Sequence, residues 1–99
     1  MADQSPPETL VAEKGPVAGS SFSLKSRVRI GRAPDNEITL PDKKASHHHA
    51  ILNILAGRLV LTDLNSTNGT TLNGIRVSEP TEVHAGDRII IGDSCFVVR

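Results

Sequence analysis

The sequence has 99 residues, with eleven acidic and eleven basic side chains, so its formal net charge is zero when the histidines are neutral. A chain of this length forms one domain. Proteins that bind duplex nucleic acids usually carry more basic than acidic side chains, so the balanced charge argues against such a partner. No run approaches the ~20 apolar residues of a membrane-spanning helix, and the N-terminus lacks the basic and apolar regions of a signal peptide. Cys95 is the single cysteine, which precludes an intrachain disulfide. We therefore expect a cytoplasmic monomer without a membrane partner.

Short alternating apolar runs follow a polar, proline-rich beginning. Residues 1–7 predict a disordered tail, and residues 8–99 predict the folded domain. Turn residues interrupt the chain every few positions, and no window keeps helical apolar spacing over three turns. In chain order the predicted strands lie at 8–13, around Phe22, at 28–30, 37–40, 50–54, 59–63, 88–91 and 95–98.

The pair Asn73-Gly74 is the strongest hairpin signal, because a type I′ turn needs a positive φ at both central residues. About ten short strands with frequent turns predict a sandwich or a barrel. The fold class is therefore all-β.

Two polar connections are longer than a simple scaffold requires. One covers residues 41–48 after a very short strand, and the other covers residues 64–70 between apolar strands. Long polar loops on a β scaffold are common places for binding residues.

Five elements in these regions resemble the forkhead-associated domain family. They are Gly31-Arg32, Ser46-His47-His48-His49-Ala50, Asp63-Leu64-Asn65-Ser66-Thr67-Asn68-Gly69-Thr70, Asn73-Gly74 and Gly86-Asp87-Arg88-Ile89-Ile90-Ile91-Gly92. The match covers nearly the whole chain from Glu8 to Arg99. The resemblance implies a two-sheet antiparallel sandwich of about eleven strands that binds phosphothreonine through loops at one end.

The resemblance also assigns roles to individual residues. It implies that phosphopeptide binding falls to Arg32, Ser46, His47, Thr67 and Asn68, and that Gly31, His49, Ser66 and Gly69 support the site. A phosphate carries about −1.5 to −2 charges and three acceptor oxygens, which suits one guanidinium and several hydroxyl or amide donors. The implied partner is a threonine-phosphorylated protein, with a Ser/Thr kinase as one candidate, and the module needs no cofactor and is not an enzyme.

Other interpretations of these residues remain open. Arg32 also fits a solvated strand end, and residues 66–69 also fit an ordinary Asx or Ser/Thr turn. His47 and His49 have the His-x-His spacing of a zinc site, but only His84 or a carboxylate could complete it. A Ser/His/Asp hydrolase lacks its Gly-x-Ser-x-Gly motif here. The main rival is a phosphate-independent interaction domain on the same fold.

Two features distinguish the predicted site from a simple arrangement of hairpin loops. Strictly alternating hairpins would put Arg32 and Ser46 at opposite ends of the sandwich, and the connection 41–48 could span up to ~26 Å to run back past a strand at 37–40.

His47 stands where the family commonly has arginine or asparagine. If His47 faces the phosphate, binding favours its protonated form, and affinity should peak between roughly pH 6 and 7; a solvent-facing His47 would have no effect.

Overall fold

The computed structural model describes residues 5–99 and contains eleven strands. Among these residues no helix has the length and apolar character needed to cross a bilayer. The strands are β1 (Thr9–Lys14), β2 (Ser21–Ser23), β3 (Val28–Gly31), β4 (Ile38–Thr39), β5 (Ala50–Leu55), β6 (Arg58–Asp63), β7 (Thr70–Leu72), β8 (Ile75–Arg76), β9 (Thr81–Glu82), β10 (Arg88–Ile91) and β11 (Ser94–Val98).

The strands form two sheets that face each other across one core. The six-stranded sheet has the order β2-β1-β11-β10-β7-β8, and the five-stranded sheet has the order β4-β3-β5-β6-β9. Several strands alternate between buried and more exposed residues, as in β10, where Ile89 and Ile91 are fully buried and Ile90 is exposed. The predicted all-β sandwich is confirmed.

The predicted hairpin at Asn73-Gly74 joins β7 to β8, and the φ angles of 52° and 84° at these residues are both positive as a type I′ turn requires. Strand β9 was not predicted, because two polar residues carry no alternation signal. The predicted tail at residues 1–7 falls partly outside the described residues. Of its members only Ser5, Pro6 and Pro7 are described, and they lie in no strand.

The chain reverses direction earlier than the sequence suggested. Strand β4 pairs with β3 in parallel, with Ile38 opposite Ile30, so the chain has already returned through residues 32–37 before β4 begins. A bidentate ion pair between Arg29 and Glu37 holds the two strands together, with Nη2 2.6 Å from Oε2. The idea that the connection 41–48 makes the return is therefore wrong.

This parallel pair places all the loops of interest at one end of the sandwich. Strands β3, β4 and β6 end there, and β5 and β7 begin there, because β5 is antiparallel to both β3 and β6. The turn between β10 and β11 lies at the same end, since Ile91 is opposite Thr70 at the start of β7. We call this the binding end, and it comprises residues 31–37, 40–49, 63–70 and 91–94.

Candidate functional site

Two loops of the binding end are joined directly by backbone hydrogen bonds. Arg32 N–H donates to the Ser46 carbonyl at 3.0 Å, and Ala33 N–H donates to the His47 carbonyl at 3.1 Å. The buried Asn36 side chain also donates to the His47 carbonyl at 2.8 Å. Gly31 makes this approach possible, because a Cβ there would collide with the His47 carbonyl oxygen. Arg32 and Ser46 are therefore neighbours.

His49 joins the second loop to the third from a fully buried position. Its Nδ1 accepts a hydrogen bond from Ser46 N–H at 2.9 Å, and its Nε2 lies 2.9 Å from the Gly69 carbonyl. Because Nδ1 acts as an acceptor, the ring must carry its hydrogen on Nε2 and donate it to Gly69. The network thus requires the neutral Nε2–H tautomer. His49 lies beneath the site rather than on its surface.

The third loop is organised by the carboxylate of Asp63. It accepts hydrogen bonds from the Ser66 hydroxyl at 2.6 Å, the Ser66 N–H at 3.0 Å and the Thr70 hydroxyl at 2.7 Å. Burial raises the pKa of Asp63, but these hydrogen bonds outweigh burial and hold that pKa below its ordinary value. The Ser66 oxygen in turn accepts from Gly69 N–H at 3.0 Å. Ser66 is buried and therefore supports the turn.

A second carboxylate, that of Asp42, ties the β4–β5 loop to the β10–β11 turn. It is buried and accepts from the N–H groups of Lys44 and Asp93 and from the Ser94 hydroxyl, each at 2.9 Å. Burial raises the pKa of Asp42, and these three donors together outweigh burial and lower it. An exposed ion pair between Lys44 and Asp93, also 2.9 Å long, lies above this contact.

The exposed surface of the binding end carries the remaining candidates. Ser46 Oγ accepts a hydrogen bond from Thr67 N–H at 3.0 Å, which places Ser46 beside Thr67. Asn68 Nδ2 donates to the Lys44 carbonyl at 2.9 Å. Arg32 is exposed and its guanidinium forms no ion pair with any residue from 5 to 99. The five residues assigned to phosphopeptide binding therefore lie at one end of the molecule.

His47 and His48 differ in their contacts. His48 Nε2 lies 3.0 Å from both carboxylate oxygens of Asp35, and this hydrogen bond lowers the pKa of Asp35. His47 is exposed, and within residues 5–99 its ring has no hydrogen-bond partner. Both border a shallow depression of about 620 Å³ beside Arg32, which Ala33, Pro34 and Pro41 complete.

A larger depression at the opposite end does not resemble an anion site. It has a volume of about 1150 Å³ and includes Arg58, Glu82, His84 and Arg99 in its lining. Its basic groups are already opposed by carboxylates, with Arg58 3.7 Å and His84 3.5 Å from Glu82. Across the described part of the chain, no three histidine, cysteine, aspartate or glutamate side chains are grouped to hold a metal.

Sequence reasoning missed the residues that support these loops from below. Asn36, Asp42, Thr70 and Ser94 are all buried polar residues of the binding end. The only local signal was their position beside turns, because their partners are distant in the chain; Asp42 and Ser94 are 52 residues apart.

The sequence matches one family model and several known proteins. The FHA domain family model matches residues 28–92. The ABC transporter ATP-binding/permease protein Rv1747 of Mycobacterium tuberculosis is 47% identical over 66 residues, which cover 67% of this chain and 8% of that protein. FhaB of the same species, an FHA domain-containing protein, is 35% identical over 91 residues, covering 91% of this chain and 59% of FhaB. The chain thus spans less than two thirds of either relative.

A solved structure agrees with these relatives. An FHA domain from a study of phosphothreonine-dependent FHA domain interactions superposes with a TM-score of 0.84 at 34% identity, covering 94% of this chain and 95% of that one. Family match, sequence identity and fold all agree. The chain belongs to the forkhead-associated (FHA) domain family.

Proposed function

We propose that the binding end recognises a phosphothreonine on a partner protein. The observation that carries this proposal is the free guanidinium of Arg32 next to Ser46. Five other lysine and arginine side chains of this neutral protein are in ion pairs of 4.0 Å or less with carboxylates, whereas Arg32 has no such partner among residues 5–99. An unpaired, planar cation of five N–H donors suits a phosphate dianion.

Two hydroxyl groups are available to complete the phosphate site. Ser46 Oγ already accepts a hydrogen bond from Thr67 N–H, so its own hydrogen is left to donate. The Thr67 hydroxyl is exposed and has no hydrogen bond to the described residues. Charge-assisted hydrogen bonds contribute about 1.5–3 kcal/mol each, so three of them support micromolar binding after the ordering costs.

Asn68 and His47 are proposed to contact the peptide around the phosphothreonine. The Asn68 amide nitrogen is held by the Lys44 carbonyl, and its oxygen remains available for a peptide N–H. The ring of His47 projects beside Arg32 at the same depression. Its contribution is measurable as a change in the pH profile of binding between the parent and His47→Gln.

We further propose that the functional unit is residues 8–99 and that it binds without catalysing a reaction. The backbone supports this boundary, because Thr9 N–H donates to the Arg99 carbonyl at 3.0 Å and Arg99 N–H returns a bond to Thr9 at 2.8 Å. A protein phosphorylated by a Ser/Thr kinase, or the kinase itself, is the proposed partner. The free thiol of Cys95, which is buried, suits the reducing cytoplasm.

Calorimetry with a phosphothreonine peptide and its unphosphorylated twin tests the proposal. We expect a Kd on the order of 1 μM for the phosphopeptide and at least ~100-fold weaker binding of the twin, because about 3 kcal/mol of charge-assisted contacts are lost. Arg32→Gln should remove phosphate-dependent binding, while Arg27→Gln, at an exposed position of the other end, should not. Equal binding of both peptides would refute phosphate recognition and favour the phosphate-independent alternative.

A further inference from the structure

Arg76 lies beside the binding end and, like Arg32, forms no ion pair with residues 5–99. It lies on β8 opposite Thr71, which itself lies opposite Ile90 of β10. Ile90 is exposed between two fully buried neighbours, so all three residues point to the outer face of the six-stranded sheet. Gly69 precedes Thr71 by two positions and faces the same side.

The guanidinium of Arg76 rests directly on Gly69. A Cβ placed on Gly69 would lie 3.0 Å from both Cζ and Nε of Arg76 and 3.2 Å from Nη2. The glycine leaves the space that the guanidinium occupies. Gly69 is also the residue whose carbonyl accepts from His49 and whose N–H donates to Ser66, so Arg76 packs against a residue that is fixed by both contacts and follows Asn68.

No carboxylate neutralises this cation within residues 5–99. The one acidic residue of the loop 63–70, Asp63, already accepts three hydrogen bonds from Ser66 and Thr70. Arg76 is exposed, so its charge is available to a ligand held by the neighbouring Asn68.

We propose that Arg76 is a specificity-determining residue that binds an anionic side chain of the peptide flanking the phosphothreonine. This inference rests on the proposed function and adds a second anion subsite to it. The matching chemistry is a carboxylate of aspartate or glutamate, or a second phosphate, because the guanidinium offers parallel N–H donors to either group.

The test uses phosphothreonine peptides in which all flanking positions are alanine, and a set in which aspartate replaces one alanine at a time on either side. We expect one aspartate position to strengthen binding about fivefold, as an exposed ion pair allows, and the gain to shrink in high salt. A phosphoserine at that position should strengthen binding further if a second phosphate is the better ligand, and should only equal aspartate if the carboxylate suffices.

Arg76→Gln should abolish the aspartate gain and leave binding of the all-alanine peptide and the thermal midpoint unchanged. Arg27→Gln is the matched control, because Arg27 is also exposed and unpaired among the described residues but lies before β3 at the other end. No aspartate gain at any position, or a gain that survives Arg76→Gln, would overturn the proposal. Failure of the all-alanine peptide to bind the parent protein would instead disprove the proposed function on which it rests.

Discussion

The two ends of the sandwich are built on different principles. At the binding end, Gly31, Gly69 and Gly92 are crowded, since a Cβ at each would lie within 3.0 Å of another group. At the opposite end, the turn glycines have open space around them; these are Gly57, Gly74 and Gly86. Glycine is thus needed for close approach at Gly31, Gly69 and Gly92 and for backbone conformation alone at Gly57, Gly74 and Gly86.

Buried polar groups show the same division. Within residues 5–99, six polar or charged residues are buried, and all of them belong to the binding end, namely Asn36, Asp42, His49, Ser66, Thr70 and Ser94. Buried polar groups are costly unless they are hydrogen-bonded, and here all of their bonds link one loop to another or fix a loop upon itself. Irregular loops are thereby held rigidly enough to present a preformed site, whereas the opposite end needs only tight turns.

Two histidines give the largest test of this difference. His49→Ala should lower the free energy of unfolding by about 3 kcal/mol, because a fully buried side chain and two hydrogen bonds are lost. It should also weaken phosphopeptide binding while Arg32 remains in place. The matched variant His84→Ala at the opposite end should change stability by less than about 0.5 kcal/mol, since His84 is exposed. Urea denaturation measures the free energy of unfolding, and calorimetry measures phosphopeptide binding. Equal losses of stability in the two variants would contradict the difference between the two ends.

Two glycines give a slightly smaller test. Gly31→Ala should cost about 2 kcal/mol, because the new Cβ meets the backbone carbonyl of His47 and forces two loops apart. Gly57→Asn should be tolerated within about 0.5 kcal/mol, because its φ of 76° is one that asparagine accepts and nothing lies within 4 Å. The thermal midpoints of the two variants would decide the matter. A tolerated Gly31→Ala with unaltered binding would show that the loops do not need their close contact.

Acid sensitivity gives the smallest test. The pKa values of Asp42 and Asp63 are lower in the folded protein than the ordinary aspartate value of about 3.9. The two carboxylates therefore stabilise the fold above that pH, and this contribution is lost as pH falls through their folded pKa values. Stability should therefore decrease below about pH 4. Asp63→Asn should lower the free energy of unfolding by about 1–2 kcal/mol at pH 7, and it should reduce the further loss of stability at acidic pH. Glu79→Gln on the exposed surface should leave the acid dependence of stability unchanged. If Asp63→Asn lost stability at acidic pH as steeply as the parent protein, other carboxyl groups would control the acid dependence.

The sequence predicted the repeating parts of this fold better than the non-local ones. Alternation located eight of the eleven strands, and Asn73-Gly74 located the hairpin between β7 and β8, because both signals depend on adjacent residues. The parallel pairing of β4 with β3 could not be predicted, because β4 has only two residues and reaches β3 through the irregular connection 32–37. The residues of the candidate site follow from the family resemblance, whereas Arg76 could not be predicted because its contact with Gly69 exists only once β7 and β8 have paired.

The first and last strands of the domain bring Thr9 and Arg99 close together. Thr9 at the start of β1 and Arg99 after the end of β11 exchange backbone hydrogen bonds, and both lie at the end remote from Arg32 and Ser46. Any host polypeptide attached at either terminus would enter and leave at a single point, and the recognition loops would face away from that point. Such a geometry suits insertion into unrelated proteins, because a host loop can accept the module without steric interference at the binding end.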